Sequence, residues 1–183
     1  EGCTRRRPTA PVEPRPGEVV AGRFSIFTDE NIEGALIEAL RHLGVNRVVL
    51  GSAYDEKVNA IARSFLESNG VTVLDAQGLS LVDNLVVGRL EADSAYELTR
   101  KIDRPDAEAI VLACTNWKTM AVIDRLEREL GKTVVSTTQV SVWAALRMIG
   151  GADSVPGYGR LLREITTAGN ETQPKEPISA TLT

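Results

Sequence analysis

The chain has 183 residues, enough for one or two compact domains, and 43% of them are hydrophobic, so a core can form. A net charge of −4 from interspersed acidic and basic residues argues against a nucleic-acid face. No apolar run reaches the roughly 18–20 residues that span a bilayer, and no signal-peptide pattern opens the chain, so a cytoplasmic protein with neither membrane nor nucleic acid as partner is expected.

Residues 1–28 open with "EGCTRRRPTAPVEPRPGEVVAG", rich in proline and arginine. Proline lacks the amide that helices and central strands require, so this reads as an extended segment or linker, with "GRFSIF" as a short strand at its end. Arg5 to Arg7 form a solvated charge run. "TDENIEGALIEALRHLG" then predicts an amphipathic helix. Thr28, Asp29 and Asn31 offer capping oxygens, Ile32, Leu36, Ala39, Leu40 and Leu43 share one face, and Gly44 stops it. His42, the only histidine, is expected on the surface near that helix's C-terminus.

From here the pattern alternates. "NRVVLGSAY", "VTVLDA", "EAIVLAC" and "KTVVST" read as strands. "DEKVNAIARSFLESNG", "SAYELTRKI", "WKTMAVIDRLERELG" and "QVSVWAALRMIGG" read as helices, with Trp117 and Trp143 packing from two of them. Strands separated by helices predict a parallel β-sheet flanked by helices, an α/β fold. The continuous apolar strands fit a sheet covered on both faces. "GLSLVDNLVVGRL" fits neither period. The α/β domain is assigned to residues 29–164, and residues 165–183 to a disordered tail.

Ligands of open α/β sheets bind beyond the carboxyl ends of the strands. Tyr54, Cys114, Thr115, Asn116, Thr137, Thr138, Gln139 and Asn84 follow such ends and form a polar rim around one thiol. Cys114 is expected near the N-terminus of the next helix, where free N–H groups and the helix dipole stabilise a thiolate. Those donors, with Thr115 and Asn116, could hold a carboxylate. A thiolate beside such a nest suits proton transfer at carbon next to a carboxyl group. The plain alternative is a small buried residue ending a strand. With one histidine and two distant cysteines, neither histidine-based catalysis nor a histidine or zinc metal site is supported. Dinucleotide and triphosphate loops are missing from the sequence as well.

"LACTNWKTMAVIDRLERELGKTVVSTTQVSVWAALRMIGG" resembles the aspartate/glutamate racemase superfamily, most closely the branch of maleate cis-trans isomerases and arylmalonate decarboxylases. "ALIEALRHLGVNRVVLGSAYDEKVN" and "PGYGRLLRE" extend the likeness to roughly Asn31–Glu164. The resemblance implies two similar α/β domains with the site between them, each offering a cysteine or its replacement to one substrate face. Cys114 then matches the second-domain cysteine, Tyr54 and Asn84 match carboxylate-binding residues, and Thr115 matches a donor beside the cysteine. "GCT" at Gly2 to Thr4 is the candidate remnant of the first cysteine motif, with Cys3 catalytic and Thr4 substrate-binding. The first domain is otherwise expected to be largely missing, and a chain opening on Glu1 suggests a fragment. The implied chemistry uses no cofactor and no metal. It acts on a small carboxylate, with room for a homodimer. Thr-Asn after the cysteine, where the decarboxylase pattern has glycines, favours isomerase over decarboxylase. Racemase and inactive carboxylate-binding fragment are the further readings.

Overall fold

The computed structural model describes residues 30–151 and 154–165. The Pro/Arg-rich segment, Cys3, Thr4, the "GRFSIF" strand, the caps at Thr28 and Asp29, and the tail from residue 166 lie outside them.

The order is α1 (Glu30–His42), β1 (Arg47–Ser52), α2 (Glu56–Ser68), β2 (Thr72–Gly78), α3 (Asn84–Arg89), α4 (Ala92–Ile102), β3 (Ala109–Ala113), α5 (Met120–Leu130), β4 (Thr133–Ser136), α6 (Thr137–Met148) and α7 (Arg160–Arg163). The strands form one parallel sheet in the order β2-β1-β3-β4. The chain runs outward from β1 to β2, then returns across β1 to build β3 and β4 on the other side. The winding direction therefore reverses between β1 and β3, the crevice where such sheets bind ligands.

Period-two alternation explains the layers. Val48, Leu50, Ala109, Val111, Ala113 and Val135 point to one face, where they bury Leu36, Leu40, Leu66, Trp143 and Leu161 from α1, α2, α6 and α7. Val49, Ile110, Leu112 and Val134 point to the other, against Leu98, Ile102, Ile123 and Leu126 from α4 and α5. Each fully buried aliphatic side chain of this kind contributes roughly 1.5–3 kcal/mol.

Local signals close the elements. Gly44, at φ +69°, turns the chain out of α1. Asp55 caps α2 by accepting the Val58 amide at 3.1 Å. Ser136 and Gln139 form a reciprocal capping box on α6.

Three expectations change. Trp117 is not helical: residues 114–119 form a turn and α5 starts only at Met120. The turn forms because the Trp117 side chain enters the core, 2% exposed, with its indole N–H donating to Ser94 Oγ at 2.8 Å. His42 is half-buried rather than superficial. Its Nε2 lies 2.7 Å from the Glu164 carbonyl and its ring 5.6 Å from that of Trp143. The ambiguous stretch holds a short helix, α3, capped by Asp83, which accepts the Leu85 amide at 2.8 Å.

Candidate active site

Strand register places the two key residues. Ser52 pairs with Ala113, so the residues following β1 and β3 leave the sheet side by side. Two residues beyond Ser52 stands Tyr54, and one beyond Ala113 stands Cys114. The Cys114 thiol donates to Tyr54 Oη at 3.1 Å, across the point where the winding reverses. Cys114 is fully buried and Tyr54 is 7% exposed.

Asn84 reaches the pair by a folded-back loop. After β2, the amides of Leu79, Ser80 and Leu81 donate to the carbonyls of Ser52, Tyr54 and Ala53 at 3.0–3.1 Å. This extension carries the start of α3 over β1. Tyr54 Oη–H can then donate to Asn84 Oδ1 at 3.4 Å, and Asn116 Nδ2 donates to the Asn84 carbonyl at 2.7 Å. Gly78 permits the return: a Cβ there would stand 2.0 Å from the Tyr54 carbonyl oxygen. Asn116 packs on Gly88, where a Cβ would come within 3.0 Å of Nδ2.

The structure thus brings Cys114, Tyr54, Asn84 and Asn116 into one hydrogen-bonded chain. Thr115 is an exposed neighbour whose carbonyl accepts from Thr138 Oγ1 at 3.2 Å. Cys3 and Thr4 lie outside the described residues. The helix expected to start at Trp117, just past Cys114, starts only at Met120, because the Trp117 turn intervenes. The helix that starts beside the thiol is α6, and the Cys114 amide donates to Thr137 Oγ1 at 3.1 Å.

Sequence reading overlooked Ser52 and Asn59. The Tyr54 amide donates to Ser52 Oγ at 3.0 Å, and that hydroxyl donates to Asn59 Oδ1 at 2.5 Å, both side chains being 1% exposed. A signal was present: Asn59 shares the buried stripe of α2 with Ala62 and Leu66, and a polar residue on an apolar helical stripe needs a partner.

Burial raises the Tyr54 pKa well above the ordinary tyrosine value, and the hydrogen bond to Cys114 and its charge push it the same way. Tyr54 is therefore a neutral phenol across the physiological range. It can accept from a thiol, or turn its own proton toward a thiolate or a carboxylate. Asn84 and Asn116 add amide donors without charge. The arrangement can hold an anion beside sulfur and hand a proton to or from sulfur. Among the described residues no group of three or more His, Cys, Asp and Glu side chains could hold a metal, and no helix is long and apolar enough to cross a membrane.

Comparisons with known proteins converge on one group. The chain is 32% identical over 132 residues to a maleate isomerase of Nocardia farcinica, which covers 72% of this chain and 53% of that protein. It is 35% identical over 133 residues to an arylmalonate decarboxylase of Bordetella bronchiseptica, covering 71% and 55%. Among solved structures, a mutant of the Nocardia farcinica maleate cis-trans isomerase with a covalently bound succinylcysteine intermediate superposes with a TM-score of 0.69 at 30% identity, covering 73% of this chain and 55% of that one. The chain spans about half the length of these relatives. The arylmalonate decarboxylase family model matches residues 27–162, and the chain belongs to that family.

Proposed function

We propose that this chain carries the Cys114 half of a cofactor-independent site that acts on a small dicarboxylate, in the manner of maleate cis-trans isomerisation. The observation that supports it is the contact between Cys114 Sγ and Tyr54 Oη at the winding reversal, with Asn84 next in line. Tyr54, Asn84, Thr115 and Asn116 bind the substrate carboxylates. Cys114 works at the carbon between them. Cys3 and Thr4 supply the opposite face.

In this reaction a thiolate adds to one olefinic carbon of the cis-dicarboxylate. A C–S bond forms, the π bond breaks, and the neighbouring carbon takes a proton from the second thiol. Rotation about the resulting single bond turns that carbon's original hydrogen toward the same group, which removes it as a proton, and expulsion of the thiolate releases the trans isomer. The negative charge that gathers on carboxylate oxygen during addition is met by neutral donors fixed in place beforehand.

The second reading is decarboxylation of a disubstituted malonate, favoured by the matching family model and by the 35% identity to the Bordetella enzyme. There a C–C bond breaks, carbon dioxide leaves, and Cys114 protonates the enediolate on one face. A single thiol is enough for it.

Incubating the full chain with maleate, an arylmalonate and aspartate, and following products and their stereochemistry by NMR, separates the readings. The trans isomer of maleate is the expected product. A chiral monoacid from the malonate alone selects the decarboxylase, and conversion of none of them removes the enzymatic reading.

A further inference from the structure

The segment Ser136-Thr137-Thr138-Gln139 joins β4 to α6 and carries four polar side chains in succession. The outer two cap the helix they begin. The inner two turn away from it. Thr137, fully buried at the first position of α6, accepts the Cys114 amide on its hydroxyl at 3.1 Å. Thr138 donates its hydroxyl to the Thr115 carbonyl at 3.2 Å. The backbone on both sides of the Cys114–Thr115 peptide is therefore gripped from α6, and neither grip comes from the strand that carries the cysteine.

That grip is needed because β-ladder pairing stops short of the thiol. The last β3 residue paired with β4 is Leu112, opposite Ser136, and the last paired with β1 is Ala113, opposite Ser52. Cys114 is thus the first residue beyond the ladder, and α5 begins only at Met120. A thiol on an unpaired turn would not keep a fixed direction toward Tyr54. Gln139 also donates through Nε2 to the Tyr158 carbonyl at 2.5 Å, which anchors the same junction to the segment preceding α7.

We propose that Thr137, assisted by Thr138, is a positioning residue that aims the Cys114 thiol at Tyr54 from the N-terminus of α6. The proposal rests on the reading of Cys114 as the reactive thiol. Replacing the Thr137 hydroxyl by a methyl of similar shape leaves the buried Cys114 amide without an acceptor, and the turn moves to find one. A misplacement of about 1 Å at reacting groups can cost on the order of 100-fold in rate.

The test compares full-length Thr137→Val, Thr137→Ser and Thr138→Val with the wild type by two readouts. The first is the NOE between the Tyr54 ring and the Cys114 Cβ protons, which needs no substrate. The second is the split between kcat and KM on maleate. The expected result is loss of the NOE in Thr137→Val, its retention in Thr137→Ser, and a kcat lowered roughly 10- to 100-fold with KM nearly unchanged. Thr138→Val should weaken the NOE less, and it decides the matter should Thr137→Val fail to fold. An unchanged NOE in both valine variants overturns the proposal. A wild type that shows the NOE but turns over no carboxylate overturns the functional reading instead, and the NOE series still decides the positioning role.

Discussion

Cys114 Sγ and Tyr54 Oη meet at 3.1 Å although the two residues are 60 positions apart, each standing just past the end of one of two adjacent parallel strands. Tyr54→Phe keeps the ring in its buried place but removes both the acceptor for the thiol and the donor for Asn84. A hydrogen bond to a charged partner is worth about 1.5–3 kcal/mol, so kcat/KM on the true substrate should fall roughly 10- to 150-fold. The urea midpoint should change little. Turnover equal to wild type would remove Tyr54 from the site.

The raised Tyr54 pKa also has a sign in stability. The native state holds the phenolic proton at pH values where the unfolded chain, near the ordinary 10.0, has released it. Native protein then binds more protons than unfolded, so unfolding free energy falls as pH rises. The penalty is absent below the unfolded value and grows as pH climbs from there toward the folded one. Urea titrations from neutral pH to about pH 11 should show a steeper alkaline decline for wild type than for Tyr54→Phe. Parallel declines would contradict the assignment.

Gly78→Ala should be among the most damaging single-methyl additions. Its Cβ would stand 2.0 Å from the Tyr54 carbonyl oxygen and 2.8 Å from Asn59 Nδ2. The first neighbour is backbone, so relief requires moving the segment that carries Tyr54. Overpacking of this kind costs roughly 1–3 kcal/mol or more. A thermal melt should show the loss, and activity should fall further than stability alone explains. A variant with wild-type melting and turnover would contradict the close approach.

Much of the fold was legible because each strand is an unbroken apolar run and each main helix has a clear stripe. Val48 to Leu50 and Ala109 to Ala113 lie buried on both faces, as such runs imply. The failures have physical causes. Val82, Leu85 and Val86 are exposed, so hydrophobicity around α3 carries no period that reflects burial. Trp117 starts a helix-like pattern, yet its ring is drawn into the core from a turn. The strand-end rule found Tyr54, Cys114 and Asn84. The carboxylate-binding role of Asn84 came from family likeness, since no local pattern reveals a loop folding back over β1. The grips of Thr137 on Cys114 and Ser52 on Tyr54 join a side chain to a backbone amide, which no periodicity records.

Glu127 ties the segment leading into α7 to β4. One carboxylate oxygen accepts the Val134 amide at 3.0 Å and the other the Arg160 amide at 2.7 Å. Burial raises its pKa, yet a neutral substitute is not harmless, because both oxygens are committed to donors. Glu127→Gln puts an NH2 group, which cannot accept, against one of the two amides. Leaving a buried donor unmet costs about 1–3 kcal/mol. Chemical denaturation should show that loss, and a variant as stable as wild type would show that the two amide bonds are dispensable.

The central claim is that Cys114 is the thiol through which this chain acts on a carboxylate substrate. Its most direct test is turnover of maleate and of an arylmalonate, followed by NMR, for the wild type and Cys114→Ser at equal concentration. Serine preserves the size of the buried side chain but lacks the acidity of a thiol. Conversion by the wild type and a loss of about 100-fold or more in the variant are expected. Equal turnover by both proteins would contradict the claim.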